Sequence, residues 1–96
     1  MAKRTEYEWD ENKRQKIINE RGLDIAVLTP MVLAGRQTVF LPDKRQDYGE
    51  ERWLAFGIVH GLRLCACFTL REDIIRLITI YKVNKKDWEN HYGKDT

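Results

Sequence analysis

The sequence has few residues of the types that cross-link a chain or bind metals. Of its 96 residues, two are cysteines and two are histidines. Cys65 and Cys67 stand two apart in a predicted strand, so they share one face and cannot easily close a disulfide with each other. Two thiols without further ligands are also too few for a structural zinc site. We therefore expect buried, reduced thiols, because free cysteine usually behaves as a small hydrophobic residue.

Long hydrophobic runs are also missing. No apolar stretch reaches the roughly 20 residues of a membrane-spanning helix. The first ten residues, MAKRTEYEWD, lack the apolar centre of a secretion signal. Hydrophobic residues make up 43% of the chain and charged residues 33%, a composition that can form a core. We therefore expect one domain over residues 1–96, located in the cytoplasm without membrane contact.

Neither sign of charge is in large excess, because the net charge is only +2. The basic residues are nevertheless grouped in the first helical region, around the middle of the chain and near its end. They include Lys3, Arg4, Lys13, Arg14, Lys16, Lys44, Arg45, Arg52, Lys82, Lys85 and Lys86. Such groups can follow a phosphate backbone, although a charged cluster is more often a solvated face.

The N-terminal third predicts a short strand and two helices. Residues 7–9 suit a strand, and Asp10 suits the N-cap of a helix over 11–21 that Gly22 ends. Asp24 then caps a second helical segment, IAVLTPMVLA, which contains a proline. Since proline lacks an amide donor, either this helix bends there or the preceding threonine caps a new helix.

Four β-like runs and a last helical segment follow. The runs lie at 37–41, where Pro42 ends the strand, and at 52–59, 62–70 and 74–82. Turn-length gaps separate the last three, so consecutive strands are expected to pair as an antiparallel meander. Asn84 begins the last helix, with Asp87 as a capping partner. The order predicts an α+β fold: an antiparallel sheet of about four strands, with two N-terminal helices and one C-terminal helix covering one face.

Several short motifs, in a fixed order, resemble a known family. They are YEWD near the N-terminus, NERG at the first helix end, D-x-R-x-x-YGEER over 43–52 and a late RLITIYK strand. Together they resemble the BrnT family of bacterial type II toxins, from about Tyr7 to Tyr92. The resemblance implies a RelE-like fold and ribonuclease activity that stops growth. It also implies a BrnA-like antitoxin, encoded by an adjacent gene, that forms a hetero-oligomer with the toxin.

The resemblance also assigns individual residues. Trp9 and Asp10 match a pair with a structural role, and Arg45 matches the arginine of the D-x-R element. Residues 48–52 match the YGEER core. In the last strand, Arg76 and Lys82 match basic positions. The family pattern there commonly reads S-A-R-K-A, whereas this chain has Tyr81 in place of the arginine. Either the usual cationic contact is lost here, or Tyr81 and Lys82 replace it.

Metal-free RNA cleavage requires an aligned 2′-hydroxyl, removal of its proton and stabilisation of the extra negative charge. Arginine suits the phosphate because its planar fork donates two parallel hydrogen bonds. The catalytic candidates are Arg45, Tyr48, Glu50, Glu51, Arg52, Arg76 and Tyr81, with proton transfer open among the two glutamates and two tyrosines. The RNA-binding candidates are Lys44, Arg63, Lys82, Lys85 and Lys86. Gly49 is expected to form a tight turn that brings Arg45 towards Arg52 and Tyr48.

Each candidate also has a structural interpretation. Residues 43–52 can be a solvated loop that enters a charged edge strand. Trp53 can stack on a base, but strand alternation favours a core position. His60 is expected in a tight turn and His91 on a helix surface, neither at metal-ligand spacing. Lysines and arginines between Asp43, Asp47, Glu50 and Glu51 would neutralise a magnesium site, so we expect no metal and no cofactor.

Two functions remain open from the sequence: a catalytic ribonuclease toxin, and a non-catalytic module that binds nucleic acid or a partner through the same basic surface. The glutamates and tyrosines among the arginines favour catalysis, because a binding module has no need of carboxylates facing phosphate.

Overall fold

The computed structural model describes residues 6–91, except for the side chain of His91. The elements in chain order are β1 (Glu6–Glu8), α1 (Glu11–Arg21), α2 (Ile25–Leu33), β2 (Val39–Pro42), β3 (Arg52–Val59), β4 (Leu62–Arg71), β5 (Ile74–Lys82) and α3 (Lys85–His91). The predicted α+β class is therefore confirmed, as are the first helix and the three long strands. Strand β2 differs slightly, since it begins two residues later than predicted and includes Pro42. None of the described helices is long and apolar enough to cross a membrane.

The sheet has five strands in the order β1-β5-β4-β3-β2. Strands β2 to β5 form the predicted antiparallel meander. The prediction of about four antiparallel strands is wrong at one edge, where β1 pairs with β5 in parallel and makes the sheet mixed. Glu6 there lies opposite Ile74, far away in the sequence, so no local pattern announces the pairing.

Side-chain caps set the start of the first two helices, as predicted. The amides of Asn12 and Lys13 donate to Asp10 Oδ1 at 2.9 and 3.2 Å, and the amide of Ala26 donates to Asp24 Oδ1 at 3.0 Å. Gly22 ends α1 with φ +68°, a left-handed conformation that glycine adopts without strain. The first two elements thus follow from local hydrogen bonding.

Helix α2 runs through Pro30 without a break. The alternative in which Thr29 caps a new helix is therefore wrong. Thr29 is fully buried instead, and the amide of Ala34 closes the helix on the Pro30 carbonyl at 3.0 Å. Packing of the apolar α2 against the sheet outweighs the donor that the proline removes.

Helices α1 and α2 cover one face of the sheet. Ile17, Leu23, Ile25 and Val32 of this helical layer pack against Ala55, Val59, Leu64, Ala66, Phe68, Leu77 and Ile80 of the sheet. Gly57 permits the close approach of α2. A Cβ there would stand 3.3 Å from Val32 Cγ1 and 2.8 Å from Thr38 Oγ1. This face contains most of the core.

The opposite face carries a second cluster, formed by Leu54, Phe56, Cys65, Cys67, Ile78 and Val83. Trp88 of α3 packs edge-on against Phe56, with ring centroids 6.4 Å apart. The expectation that all helices cover one face is therefore wrong for α3, which is short and contributes one large apolar side chain. The two cysteines are buried on a shared face, as predicted, and burial raises the pKa of each to about 11.

Candidate active site

The loop over residues 43–51 joins β2 to β3 above the second cluster. Its ends are held together, because the amide of Asp43 donates to the carbonyl of Arg52 at 2.8 Å. Gly49 has φ +70°, and its amide donates to Asp47 Oδ1 at 2.9 Å. The predicted tight turn at Gly49 is confirmed, and it returns the chain to the start of β3.

Asp43 is the centre of this loop, and its side chain has no exposed surface. Arg45 donates to it three times: Nε to Oδ1 at 2.8 Å, Nη2 to Oδ2 at 2.8 Å, and the backbone amide to Oδ1 at 3.2 Å. The hydroxyl of Tyr48 donates to Oδ2 at 3.1 Å. These hydrogen bonds, led by those of Arg45, lower the pKa of Asp43 to about 2. The carboxylate therefore stays ionised and holds both side chains in place.

From the sequence, Asp43 is a possible metal ligand and the first residue of the D-x-R element, but its role in holding Arg45 and Tyr48 was not predicted. The available signal was an aspartate that directly follows a strand, two residues before an arginine. At this spacing the carboxylate can accept both the backbone amide and the side chain of the arginine.

Arg45 keeps its outer edge in solvent. The two side-chain hydrogen bonds to Asp43 use Nε and Nη2, and 55% of the side-chain surface is exposed. The same hydrogen bonds raise the pKa of Arg45 above its ordinary value, so its charge is permanent. Nη1 of Arg45 makes neither of these hydrogen bonds and is available to bind an anion from solvent.

Arg52 lies on the other side of Tyr48. Its Cζ is 4.1 Å from the centre of the Tyr48 ring, within the range of a cation–π interaction. Its Nε donates to Glu50 Oε2 at 3.1 Å, and Arg71 Nη2 approaches Glu50 Oε1 at 3.5 Å. Tyr48 therefore connects the two arginines, through its hydroxyl on Asp43 and its ring beneath Arg52.

Glu50 is a poor proton acceptor in this arrangement. The hydrogen bond from Arg52 is the main cause that lowers its pKa, and Arg71 adds to the effect. A carboxylate of lowered pKa holds a proton less readily, so Glu50 orients Arg52 rather than removing a proton. Glu51, in contrast, is exposed, and no hydrogen bond of its carboxylate is found among residues 6–91.

Two hollows adjoin the loop. The first, about 570 Å³, is lined by Tyr48, Glu51, Arg52 and Lys44 among others. The second, about 700 Å³, has Arg45 and Tyr81 at its rim above Leu54, Phe56 and Val83. Asp43 and Lys44 line both. An extended ligand can therefore contact Arg45 and Arg52 together by crossing the loop.

Tyr81 shares the second hollow with Arg45. Burial is the main cause that raises its pKa, and its hydrogen bond with Cys65 adds to the shift. The phenol therefore stays protonated near neutral pH and suits hydrogen-bond donation or stacking rather than service as a base.

Arg76 lies on the same face but apart from the loop. Arg52 pairs with Thr69, and Thr69 pairs with Arg76, so the two arginines are two strands apart, roughly 10 Å. Arg76 Nη1 donates to Glu8 Oε1 at 3.2 Å. The structure thus places Arg76 at the margin of the site, paired with β1.

The remaining basic candidates lie elsewhere. Arg63 and Lys82 line a separate hollow beside the β3–β4 turn. Lys82 follows Tyr81 in the strand, so its side chain points to the opposite face. Of these two residues, Tyr81 is the one that shares a hollow with Arg45. Lys85 and Lys86 are exposed on α3.

Trp9, Trp53 and His60 lie in the structural positions predicted for them. Trp53 packs against the cluster beneath α1 and α2, as does Trp9, whose indole nitrogen donates to Glu11 Oε1 at 3.0 Å. His60 has φ 51° in the β3–β4 turn, and His91 lies outside the described side chains. Among the described residues, no three His, Cys, Asp or Glu side chains form a group that could hold a metal ion.

A comparison with protein families gives a match over most of the chain. The family model described as "Ribonuclease toxin, BrnT, of type II toxin-antitoxin system" matches residues 9–87. No curated protein and no solved structure matches the chain, so the RelE-like fold stays a prediction. The family match runs from Trp9 to Asp87 and includes the whole loop around Asp43, as well as α1, α2 and strands β2 to β5. The chain therefore belongs to the BrnT family of ribonuclease toxins of type II toxin–antitoxin systems.

Proposed function

We propose that this chain cleaves RNA without a metal ion, by in-line attack of a 2′-hydroxyl on the adjacent phosphate, and inhibits growth until its antitoxin binds. The observation that carries the proposal is the chain of contacts from Asp43 through Tyr48 to Arg52. It fixes two permanently charged arginines on either side of one loop before any substrate arrives.

In this reaction the 2′-oxygen forms a bond to phosphorus as the bond to the 5′-oxygen breaks. The products are a 2′,3′-cyclic phosphate and a free 5′-hydroxyl. The attacking hydroxyl loses a proton, and the leaving oxygen gains one. Arg45 and Arg52 stabilise the additional charge on the phosphate oxygens, since fixed donors contribute most where charge develops.

Glu51 is the proton acceptor that best fits the site. It lines the hollow beside Arg52 and is exposed, whereas Arg52 and Arg71 engage Glu50. Tyr81 stays protonated because of its raised pKa and is placed to stack on a base or to donate a hydrogen bond.

The test uses the purified, partner-free chain, a defined RNA and EDTA, with the products separated on a gel. We expect cleavage in EDTA, and a loss of roughly 100-fold in rate for Arg52→Ala. Arg52 is the better target for alanine because its partner Glu50 is partly exposed. Arg45→Ala would strand the charge of the buried Asp43, so Arg45→Lys, which keeps the charge without the fork, is the matching variant.

The control is Arg36→Gln, which removes an exposed arginine from the loop between α2 and β2. It should cleave like the parent chain. Parent-like cleavage by Arg52→Ala would remove these arginines from the mechanism. Binding of RNA without cleavage, with or without magnesium, would instead favour a non-catalytic module. Cleavage only with magnesium would refute the metal-free reaction.

We further propose that a BrnA-like antitoxin from the adjacent gene forms a hetero-oligomer with the chain and covers the loop around Asp43 with an acidic segment. Complementary charge makes such an interaction sensitive to salt. Co-expression should yield a complex that restores growth and weakens as salt rises. Persistence of growth inhibition in spite of co-expression would count against this partner.

A further inference from the structure

A second basic cleft lies beside the proposed active site, between α1 and β5. Its volume is about 360 Å³, and Lys13, Lys16 and Arg21 line it together with Thr79 and one acidic residue, Glu20. Three cations against one carboxylate leave the cleft positive. The sequence showed only that the first helical region is basic, not that these side chains share a hollow with a strand.

Thr79, the strand residue that lines the cleft, points to the same face of the sheet as the loop around Asp43. Thr79 pairs directly with Cys67 across β4 and β5, and directly paired residues point to one face. The Sγ of Cys67 lies 3.9 Å from Asp43 Oδ2. An RNA strand that crosses this face of the sheet can therefore contact both the cleft and the loop around Asp43.

Lys13 lines the cleft near the start of α1. It lies in the first turn of α1, at the positive end of the helix dipole, where Asp10 caps the amides of Asn12 and Lys13. Partial loss of hydration lowers the pKa of Lys13, and the positive charge of Arg52 lowers it further. An anion in the cleft would offset the positive charge of Lys13, Lys16 and Arg21.

Arg21 is held at the other end of the cleft. Its Nη1 donates to Thr79 Oγ1 at 2.9 Å and to the carbonyl of Ile80 at 2.8 Å. No hydrogen bond of Nε or Nη2 is found within residues 6–91. The guanidinium group is thus anchored by one nitrogen, with its other donors available for an anion.

We propose that the α1–β5 cleft binds a backbone phosphate of the RNA strand next to the cleaved one, so that the substrate is a single strand extending from the loop around Asp43 to α1. The inference rests on the proposed ribonuclease function. Phosphate contacts away from the chemistry position a nucleic acid without selecting its bases. The cleft therefore affects binding of longer strands and leaves the chemical step unchanged.

The test compares Lys13→Gln with the control Arg36→Gln, each of which removes one exposed cation. The substrates are a dinucleotide and a single strand of roughly eight nucleotides, a length that one small binding surface can cover. For Lys13→Gln we expect a several-fold higher KM on the longer strand, an unchanged kcat, and parent-like cleavage of the dinucleotide.

Binding of the same longer strand, blocked by 2′-O-methyl groups, gives a second measurement. Removing one phosphate contact should reduce the slope of log K against log salt by about 0.7 for Lys13→Gln and not for Arg36→Gln. The melting temperature of Lys13→Gln should match the parent, because no hydrogen bond of its side chain is found among the described residues.

Two results would overturn the cleft proposal alone. The first is an unchanged KM and salt slope for Lys13→Gln in a chain that still cleaves RNA. The second is a loss of kcat for Lys13→Gln that is the same on the dinucleotide as on the longer strand, which would place Lys13 in the active site. A parent chain that neither binds nor cleaves either RNA would overturn the ribonuclease proposal and the cleft together.

Discussion

Replacing Asp43 by asparagine tests the centre of the candidate site. The substitution keeps the size of the side chain and one acceptor oxygen, but it removes the buried charge that Arg45 and Tyr48 share. The pKa of Asp43 falls from 3.8 to about 2 on folding. At about 1.4 kcal/mol for each pKa unit, the ionised carboxylate contributes roughly 2–3 kcal/mol to the free energy of unfolding.

The sign of the pH dependence follows from the lowered pKa. The contribution of Asp43 is fully present above pH 3.8 and is lost as the pH falls through about 2. Asp43→Asn should therefore unfold at lower urea than the parent at pH 7, with a melting temperature roughly 10–20 °C lower. The deficit should shrink at pH 3 and vanish below pH 2.

Urea unfolding at these pH values measures the effect, with Asp47→Asn as the matched control. Asp47 belongs to the same loop but is exposed, and an asparagine oxygen can still accept the amide of Gly49. That variant should remain near the parent. RNA cleavage by Asp43→Asn should fall about 100-fold even where it is folded, because Arg45 and Tyr48 lose their alignment. Parent-like stability at pH 7, or a deficit that persists below pH 2, would refute this reasoning.

Two further substitutions separate side-chain roles. Tyr48→Phe removes the hydroxyl that donates to Asp43 but keeps the ring beneath Arg52. It should lower the free energy of unfolding in urea by about 1 kcal/mol and reduce cleavage less than Arg52→Ala. If Tyr48→Phe were as inactive as Arg52→Ala, the hydroxyl would take part in the chemistry. Gly57→Ala should destabilise the chain by about 1–3 kcal/mol, because its Cβ would meet Thr38 Oγ1 at 2.8 Å and Val32 Cγ1 at 3.3 Å. Its control is Gly22→Ala, with φ +68° and open space, which should cost about 1 kcal/mol from backbone strain alone. Parent-like stability of Gly57→Ala would contradict the packing assigned to Gly57.

The first helix, the three long strands and the residues that cap or end the elements were predictable from the sequence. Asp10 and Asp24 cap helices through amides two or three residues away, and Gly22 and Gly49 adopt positive φ where a helix or loop must turn. Strand alternation likewise placed the two cysteines on one buried face. Such features were predictable because each depends on neighbours within a few residues in the sequence. The family resemblance, carried by motifs from one end of the chain to the other, was confirmed by the match over residues 9–87.

Contacts between residues far apart in the sequence could not be predicted from local patterns. The parallel pairing of β1 with β5 and the placement of α3 on the second face depend on contacts between the two ends of the chain, which periodicity does not encode. The same holds for charge. The sequence shows a run of mixed charges over 43–52, but burial of one carboxylate, Asp43, turns the run into an ordered site. Burial depends on what the folded sheet places above and below a side chain, and the grouping of Lys13, Lys16 and Arg21 with Thr79 in one cleft depends on the fold in the same way.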